Sequence, residues 1–328
     1  MRKLILFSSV FVLFVSVACG LTPNFGFQTI EGSGKIVTEN REVSGFSRVE
    51  VCCGMELYLT QGDTESLEIE ADDNFLEEII TTVVGTRLEI KYQRTKNINY
   101  RPSQPVKLYL TMADVRGVSL SGGGYFETDV LESEGFDLDM SGGSDAWIAT
   151  LTTGDINVEI SGGGNLEAGS IEGDQVDLDF SGGSDSQIEK LSAASLDVET
   201  SGGGQFEADS CQVDHLNMNL SGSSDGEISS LTAETLELRT SGGGIVRISG
   251  TVSEQDINLS GGSSYKAGDL ESEHTAFSAS GGGNSTVWVT GTLSVDLSGG
   301  SSLGYYGRPQ ILDQNLSRGS DLDSLGER

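Results

Sequence analysis

A tetrapeptide of the form Ser-Gly-Gly-Gly or Ser-Gly-Gly-Ser, once Ser-Gly-Ser-Ser, recurs ten times along the chain. It begins at Ser121, Ser141, Ser161, Ser181, Ser201, Ser221, Ser241, Ser260, Ser280 and Ser298. A unit of about twenty residues cannot bury an apolar face by itself, so units repeated at that period stack on their neighbours as a solenoid. Within each unit the apolar positions alternate with polar ones, as a strand with one buried face requires. Phe136, Leu138 and Met140 face one way while Asp137 and Asp139 face the other, and Val176, Leu178 and Phe180 repeat the pattern. With glycine at the corners, these features describe an all-β parallel β-helix built of Ser-Gly-Gly units.

The units fall into two alternating classes. The Gly-Gly-Gly class has a bulky residue five after the Ser (Phe126, Leu166, Phe206, Val246) and a small one at seven (Thr128, Ala168, Ala208). In the other class the order is reversed, with Ala146, Ser186 and Gly226 at five and Ile148, Ile188 and Ile228 at seven. A forty-residue coil made of two unequal halves alternates automatically, so two units per coil is the favoured reading and one unit per coil the alternative. On the forty-residue reading Phe126 lies over Leu166. The corner glycines are expected to be structural, so that a β-branched residue at Gly163 destabilises the fold.

Ahead of the repeats, strands are expected at Phe46 to Thr60, Ser66 to Glu70, Arg87 to Tyr92 and Val106 to Thr111. One short helix is expected over Asp73 to Val83, where Phe75, Leu76, Ile79 and Ile80 fit helical spacing and Asp73 is placed to cap it. The organisation is then a signal segment at 1–18, a tether at 19–30, irregular coils at 31–115, regular repeats at 116–306 and a closing segment at 307–328.

Arg2 and Lys3 precede an apolar run, Leu4 to Val17, too short for a comfortable span of about twenty residues. The run Val15-Ser16-Val17-Ala18-Cys19 resembles a bacterial lipobox, which makes Cys19 the expected site of lipid attachment and the membrane a partner through that anchor. Secretion by cleavage at a nearby site is the alternative. The remaining thiols, Cys52, Cys53 and Cys211, cannot all pair; adjacent residues of a strand point to opposite faces, so Cys52 and Cys53 read as small buried or half-buried residues.

Fifty Asp and Glu against nineteen Lys and Arg leave a net charge of −31. Nucleic acid is excluded as a direct partner on that balance, since phosphate binding needs clustered cations. Gly142-Gly143-Ser144-Asp145 and Gly182-Gly183-Ser184-Asp185 approach the calcium pattern of acidic β-rolls but lack its third glycine and its nine-residue period. Weak divalent-cation binding is therefore expected only along a stack of Asp139, Asp179, Asn219, Asn258 and Asp296. His215 and His274 are isolated, the carboxylates are periodic and not gathered, and no phosphate loop, dinucleotide fingerprint or Gly-x-Ser-x-Gly motif occurs. No catalytic residue, cofactor or metal ligand can be assigned. Tyr125, Trp147, Tyr265, Trp288, Tyr305 and Tyr306 are the expected exposed aromatics; Trp147 and Trp288 are the candidates for stacking on a sugar, with packing on the solenoid surface or end the favoured reading.

Three segments and the glycine repeats carry a family likeness: Arg41 to Val51 (REVSGFSRVEV), Leu57 to Ile79, and Thr86 to Tyr92 (TRLEIKY), with Gly307 to Glu327 as a closing segment. The chain resembles the bacterial family described as putative auto-transporter adhesin, head GIN domain, over roughly 28–327. The resemblance implies a right-handed β-helix, secretion or lipid anchoring in the bacterial cell envelope outside the cytoplasm, and an adhesive role. The expected function is a non-enzymatic adhesin or scaffold presenting an acidic β-helix face to a surface glycan or protein. The alternative is a carbohydrate-active β-helix enzyme, a polysaccharide hydrolase or lyase.

Overall fold

A computed structural model describes residues 28–93, 98–317 and 319–328 of the chain. Cys19, the signal segment and most of the tether lie outside them. Successive Ser-Gly-Gly units lie directly on one another in parallel register: Ser121 opposite Ser141, Ser141 opposite Ser161, and Ser161 opposite Ser181. One coil is therefore one unit of about twenty residues, and the forty-residue coil is overturned. Phe126 neighbours Ala146, and Leu166 lies one coil further on.

The alternation has a packing origin instead. One column runs Phe126, Ala146, Leu166, Ser186, Phe206, Gly226, Val246, and the column beside it runs Thr128, Ile148, Ala168, Ile188, Ala208, Ile228, Ile248. Coils are about 4.8 Å apart, and the two columns share one interior space. Each coil fills that space from one column while its neighbours fill it from the other, so bulky groups interdigitate between coils where identical coils would abut. The code has period two in a coil of period one. The apolar members of both columns belong to a single buried apolar cluster.

The Ser-Gly-Gly corner is held by its own column of hydrogen bonds. Gly163 N donates to Gly142 O (3.0 Å), Gly183 N to Gly162 O (2.8 Å) and Gly203 N to Gly182 O (2.8 Å). The first glycine of each corner sits at positive φ (Gly162 +107°, Gly182 +86°), and a Cβ there would overlap the carbonyl oxygen of the corner beneath. A Cβ on Gly164 would likewise overlap Ser144 O. Gly163, in contrast, has open space around it and no positive φ, so the expected intolerance is corrected to its two neighbours.

At the N-terminal end the coils are out of sequence order. Arg48–Val51 lies between Gly117–Ser121 and Arg87–Tyr92, and Glu56–Gln61 lies between Tyr125–Gly142 and Lys107–Met112. The chain thus lays its second coil outside its first before returning to begin the repeats. Antiparallel strands finish this end: Ser66–Asp72 on Lys107–Met112, Ile36–Arg41 on Ser66–Asp72, and Ile79–Val84 on Arg87–Tyr92.

The expected helix over Asp73 to Val83 is not formed, and no helix occurs among the described residues. Residues 73–78 make a turn, closed by Phe75 N to Asp72 O (2.8 Å) and Glu78 N to Phe75 O (2.9 Å), and Ile79–Val84 is a strand. Ile79, Ile80, Thr81, Thr82, Val83 and Val84 are six β-branched residues in succession, whose χ1 stiffness favours a pleated sheet over a helix. Phe75 and Leu76 still do the apolar work assigned to them, buried against the outermost coil.

Toward the other end the repeats shorten; register shifts near Ile228/Leu231 and Ala267/Glu271 absorb the lost residues, while the one near Arg247/Ser249 restores the full offset. The closing segment forms the last coil, with Gln310–Leu316 on Asn284–Ser298 and Asp321–Gly326 on Ser302–Tyr306.

Candidate binding surface

The strand before each corner presents alternate residues to solvent, and parallel register stacks them into ladders. The residue two before the corner Ser runs Glu50, Ser119, Asp139, Glu159, Asp179, Glu199, then Asn219, Arg239, Asn258, Ser278 and Asp296. Because the coil is twenty residues, Asp139 and Asp179 are separated by Glu159, and the expected stack of one class alone does not exist. The real ladder carries four successive carboxylates and then turns neutral apart from Arg239 and Asp296.

Together with the corner serines this ladder lines a trough on the solenoid flank. Two hollows of about 440 Å³ and 760 Å³ join at Asp179 and Ser181. Ten steps from Glu50 to Asp296 give a length of about 48 Å at the strand spacing.

A second ladder lies two residues before the first: Asp137, Asn157, Asp177, Asp197, Asn217, Glu237 and Asp256. Its ends and irregular places are paired, by Arg48 to Asp137 (2.6 Å), Asn217 Nδ2 to Asp197 (2.7 Å) and Arg239 to Glu237 (2.9 Å). In the middle, partial burial and then the neighbouring Asp197 and Asp155 raise the Asp177 carboxyl above its ordinary value. Like charges stacked on adjacent rungs hold one another toward the protonated form.

The residues suggestive of calcium have a different task. Asp145 Oδ1 accepts from Asn165 N (3.0 Å) and Nδ2 (2.9 Å), Asp185 Oδ1 from Gln205 N (3.0 Å), and Asp225 Oδ1 from Ile245 N (2.6 Å). Each carboxylate thus ties the corner of its coil to the backbone of the next. Ser144, Ser184 and Ser224 turn inward and donate to the carbonyls of Ser141, Ser181 and Ser221 (2.8 to 3.0 Å), which explains the fourth position of their class. Among the described residues no three His, Cys, Asp or Glu side chains are grouped to hold a metal ion.

The structure separates the histidines and places each against a threonine of the next coil, His215 Nδ1 2.8 Å from Thr235 Oγ1 and His274 Nδ1 2.8 Å from Thr292 Oγ1. Cys211 is a free buried thiol whose pKa burial pushes up to about 12, and it reads as core. Cys52 and Cys53, expected on opposite faces of a strand, form a disulfide with each other. Their strand ends at Val51, and register places Val51 opposite Leu120, so Cys52-Cys53-Gly54 is the corner equivalent to Ser121-Gly122-Gly123. Cys53 accordingly has φ +71°, where Gly122 has +85°.

Of the expected exposed aromatics, Tyr265 is fully buried: its hydroxyl donates to Gln255 Oε1 (2.8 Å), whose amide donates to Ser272 (2.9 Å) and Thr275 (3.1 Å). This satisfied network fills the interior where the register shifts occur. Trp288 and Tyr306 pack under the Arg328 guanidinium. Sequence reasoning missed the aromatic cluster that does form on the outer face, Tyr109 stacked on Tyr58 (5.3 Å) with Tyr125 edge-on (6.1 Å). Only the out-of-order first coils bring Tyr58 beside Tyr109. Burial, then the hydrogen bond to Glu127, raises the Tyr125 phenol to about 12, and Tyr58 is raised likewise by burial and by its bond to Glu56.

Comparison with known proteins places these features in context. The sequence profile described as "Putative auto-transporter adhesin, head GIN domain" matches residues 45–212 and 200–309. No curated protein sequence matches the chain. Among solved structures, a putative adhesin from Parabacteroides distasonis ATCC 8503 superposes over 90% of this chain and 100% of its own at 14% identity and a TM-score of 0.45. A putative adhesin from Parabacteroides merdae ATCC 43184 covers 92% and 98% at 14% identity and 0.38. A structure titled putative lipid binding protein, also from Parabacteroides distasonis, covers 92% and 100% at 16% identity and 0.41.

Proposed function

The chain belongs to the family described as putative auto-transporter adhesin, head GIN domain, and from that premise we propose that it is a lipid-anchored adhesin or scaffold of the bacterial cell envelope. In this reading it acts by binding and breaks no bonds. The observation that carries the reading is the polar ladder kept in register along about 48 Å of solenoid flank, with the second ladder beside it over about 29 Å. Such a surface makes the same contact at many rungs, and weak contacts repeated along a rigid rod add as avidity. The partner is an extended surface glycan or protein, with divalent cations bridging the carboxylate half of the trough to acidic polymers. Anchoring through Cys19 would orient the N-terminal end toward the membrane and present the repeats outward.

Binding of the purified protein to a panel of acidic and neutral polysaccharides, with and without calcium, tests the proposal. Retention that weakens when Asp179 and Glu199 are both replaced by Asn and Gln supports it. Release of new reducing or unsaturated ends, abolished by replacing one carboxylate, would install the carbohydrate-active enzyme in its place. For the anchor, Cys19→Ser should move the protein from the membrane fraction to a soluble or unprocessed form, and unchanged membrane attachment contradicts it.

A further inference from the structure

The two ends of the solenoid are built differently. At the N-terminal end the interior residues of the outermost coil, Leu88, Ile90, Leu108 and Leu110, are at most 1% exposed because the antiparallel strands and Phe75 cover them. At the other end the same inward columns run out into solvent. Leu293 and Leu297 are fully buried, yet Ile311 and Leu316, which register places directly on them, are 37% and 40% exposed. Leu312 and Leu325 in the same last coil are 54% and 44% exposed. The outer edges of Gln310–Leu316 and Asp321–Gly326 pair with no further strand among the described residues. A solenoid end normally needs a polar cap, because an open interior and an unpaired strand edge together template association.

Charge distribution selects the occupant. Residues 117–306 hold thirty-one acidic side chains against four basic ones, so two copies meeting flank to flank repel. Residues 307–328 hold four acidic and three basic side chains, and two of the basic ones are already in ion pairs at this end, Arg308 with Glu327 and Arg328 with Asp269. On this near-neutral, apolar, edge-bearing end a second copy meets little of the like charge that the repeats carry. A copy related by a two-fold axis would present the same edge strands antiparallel and cover each open column with its equivalent.

We propose that the closing coil is a homophilic docking face, through which two copies of this chain join end to end, C-terminal end to C-terminal end. The spacing of twelve rungs from Glu89 to Asn315 makes each solenoid about 58 Å long, so the joined rod exceeds about 110 Å with its two N-terminal ends at opposite extremes. The proposal deepens the adhesive reading by making a second copy on a facing surface one of the partners. It is nonetheless measured without any glycan or cell, so its failure leaves the trough reading untouched.

Sedimentation equilibrium of a Cys19→Ser chain, exported without an acyl group, should show a concentration-dependent dimer. Replacing Leu312 and Leu325 together by Asp should shift dissociation at least tenfold toward monomer while melting temperature and far-UV signal stay unchanged. A second measurement keeps the claim testable should that variant fold poorly: spin labels on Asp323→Cys should lie within short range of each other across the dimer, and labels on Lys35→Cys should not. A chain that stays monomeric at all concentrations, a dimer that survives both Asp substitutions, or short distances between Lys35 labels would each overturn the proposal.

Discussion

Gly162, Gly163 and Gly164 look alike in sequence and differ sharply in what surrounds them. An alanine at Gly162 combines positive φ with overlap on Gly142 O, and one at Gly164 overlaps Ser144 O. Each should cost about 2 to 3 kcal/mol. Gly163→Ala meets open space, and by restricting the unfolded chain it should leave stability unchanged or raise it by up to about 0.5 kcal/mol. Urea midpoints of the three variants give the comparison, and equal losses at all three positions would contradict the corner geometry. The same scale carries a pH prediction at Asp177. Its carboxyl is raised in the folded protein by burial and by Asp197 and Asp155, so the folded state binds the proton more tightly than the unfolded one. That contribution favours folding below the ordinary carboxylate value of about 3.9 and is lost as pH rises through the raised folded value. Asp177→Asn should therefore stabilise the protein at pH 7, with an advantage that shrinks on acidification; a destabilised variant at pH 7 would show that the ladder is not repulsive.

At the scale of the element, the N-terminal cap hangs on one buried carboxylate. Asp72 accepts from Gly34 N (2.8 Å), Ser103 N (2.8 Å) and Ser103 Oγ (2.7 Å). Burial alone would raise its pKa, but the bonds from Ser103 and Gly34 outweigh that and hold it below the ordinary value. The stability it contributes is present above the unfolded carboxylate value and is lost as pH falls through the lowered folded one. Asp72→Ala leaves buried donors without an acceptor and should cost about 3 kcal/mol, with faster amide exchange in Ile36–Arg41 than in the repeats. The corner at Cys52 and Cys53 makes a second case. Since Cys52-Cys53-Gly54 occupies the place of Ser121-Gly122-Gly123, the double change Cys52→Ser and Cys53→Gly should preserve the melting temperature within a few degrees. Cys53→Val, a β-branched residue at positive φ, should cost about 1 to 3 kcal/mol of stability and lower the melting temperature accordingly. A collapse of the Ser-Gly variant would show that the disulfide itself, and not the corner, is required.

For the whole molecule, the uncompensated charge of the repeats is the dominant long-range term. Thirty-one carboxylates on residues 117–306 are spread over ladders whose rungs are about 4.8 Å apart, well within the Debye length of about 10 Å at 0.1 M salt. Raising sodium chloride from about 0.01 M to about 0.5 M should raise the melting temperature by screening that repulsion, and a fall would mean that ion pairs outweigh it. Screening should also strengthen association along the flank, while contact through the near-neutral closing coil should respond little to salt.

The sequence alone determined the parallel β-helix, its Ser-Gly-Gly corners and the core-facing positions of most repeat strands, Tyr265 being the exception, because a period of two within strands and of twenty along the chain gives each strand one apolar face to bury. It also contained the corner at Val51-Cys52-Cys53-Gly54-Met55, which aligns with Leu120-Ser121-Gly122-Gly123-Gly124 once the register of Glu50 on Ser119 is seen. Tertiary structure decided what lies beside what. Large and small residues alternate because neighbouring coils interdigitate, a relation between coils that one unit cannot display, so a twenty-residue coil looked like half of a forty-residue one. The run Ile79–Val84 became a strand because Arg87–Tyr92 offered an edge to pair with. Tyr58 met Tyr109, and Asp139 met Glu159, only through stacking order. The open last coil, too, follows from what does and does not lie on it, since exposure is a property of neighbours and no residue carries it in its name.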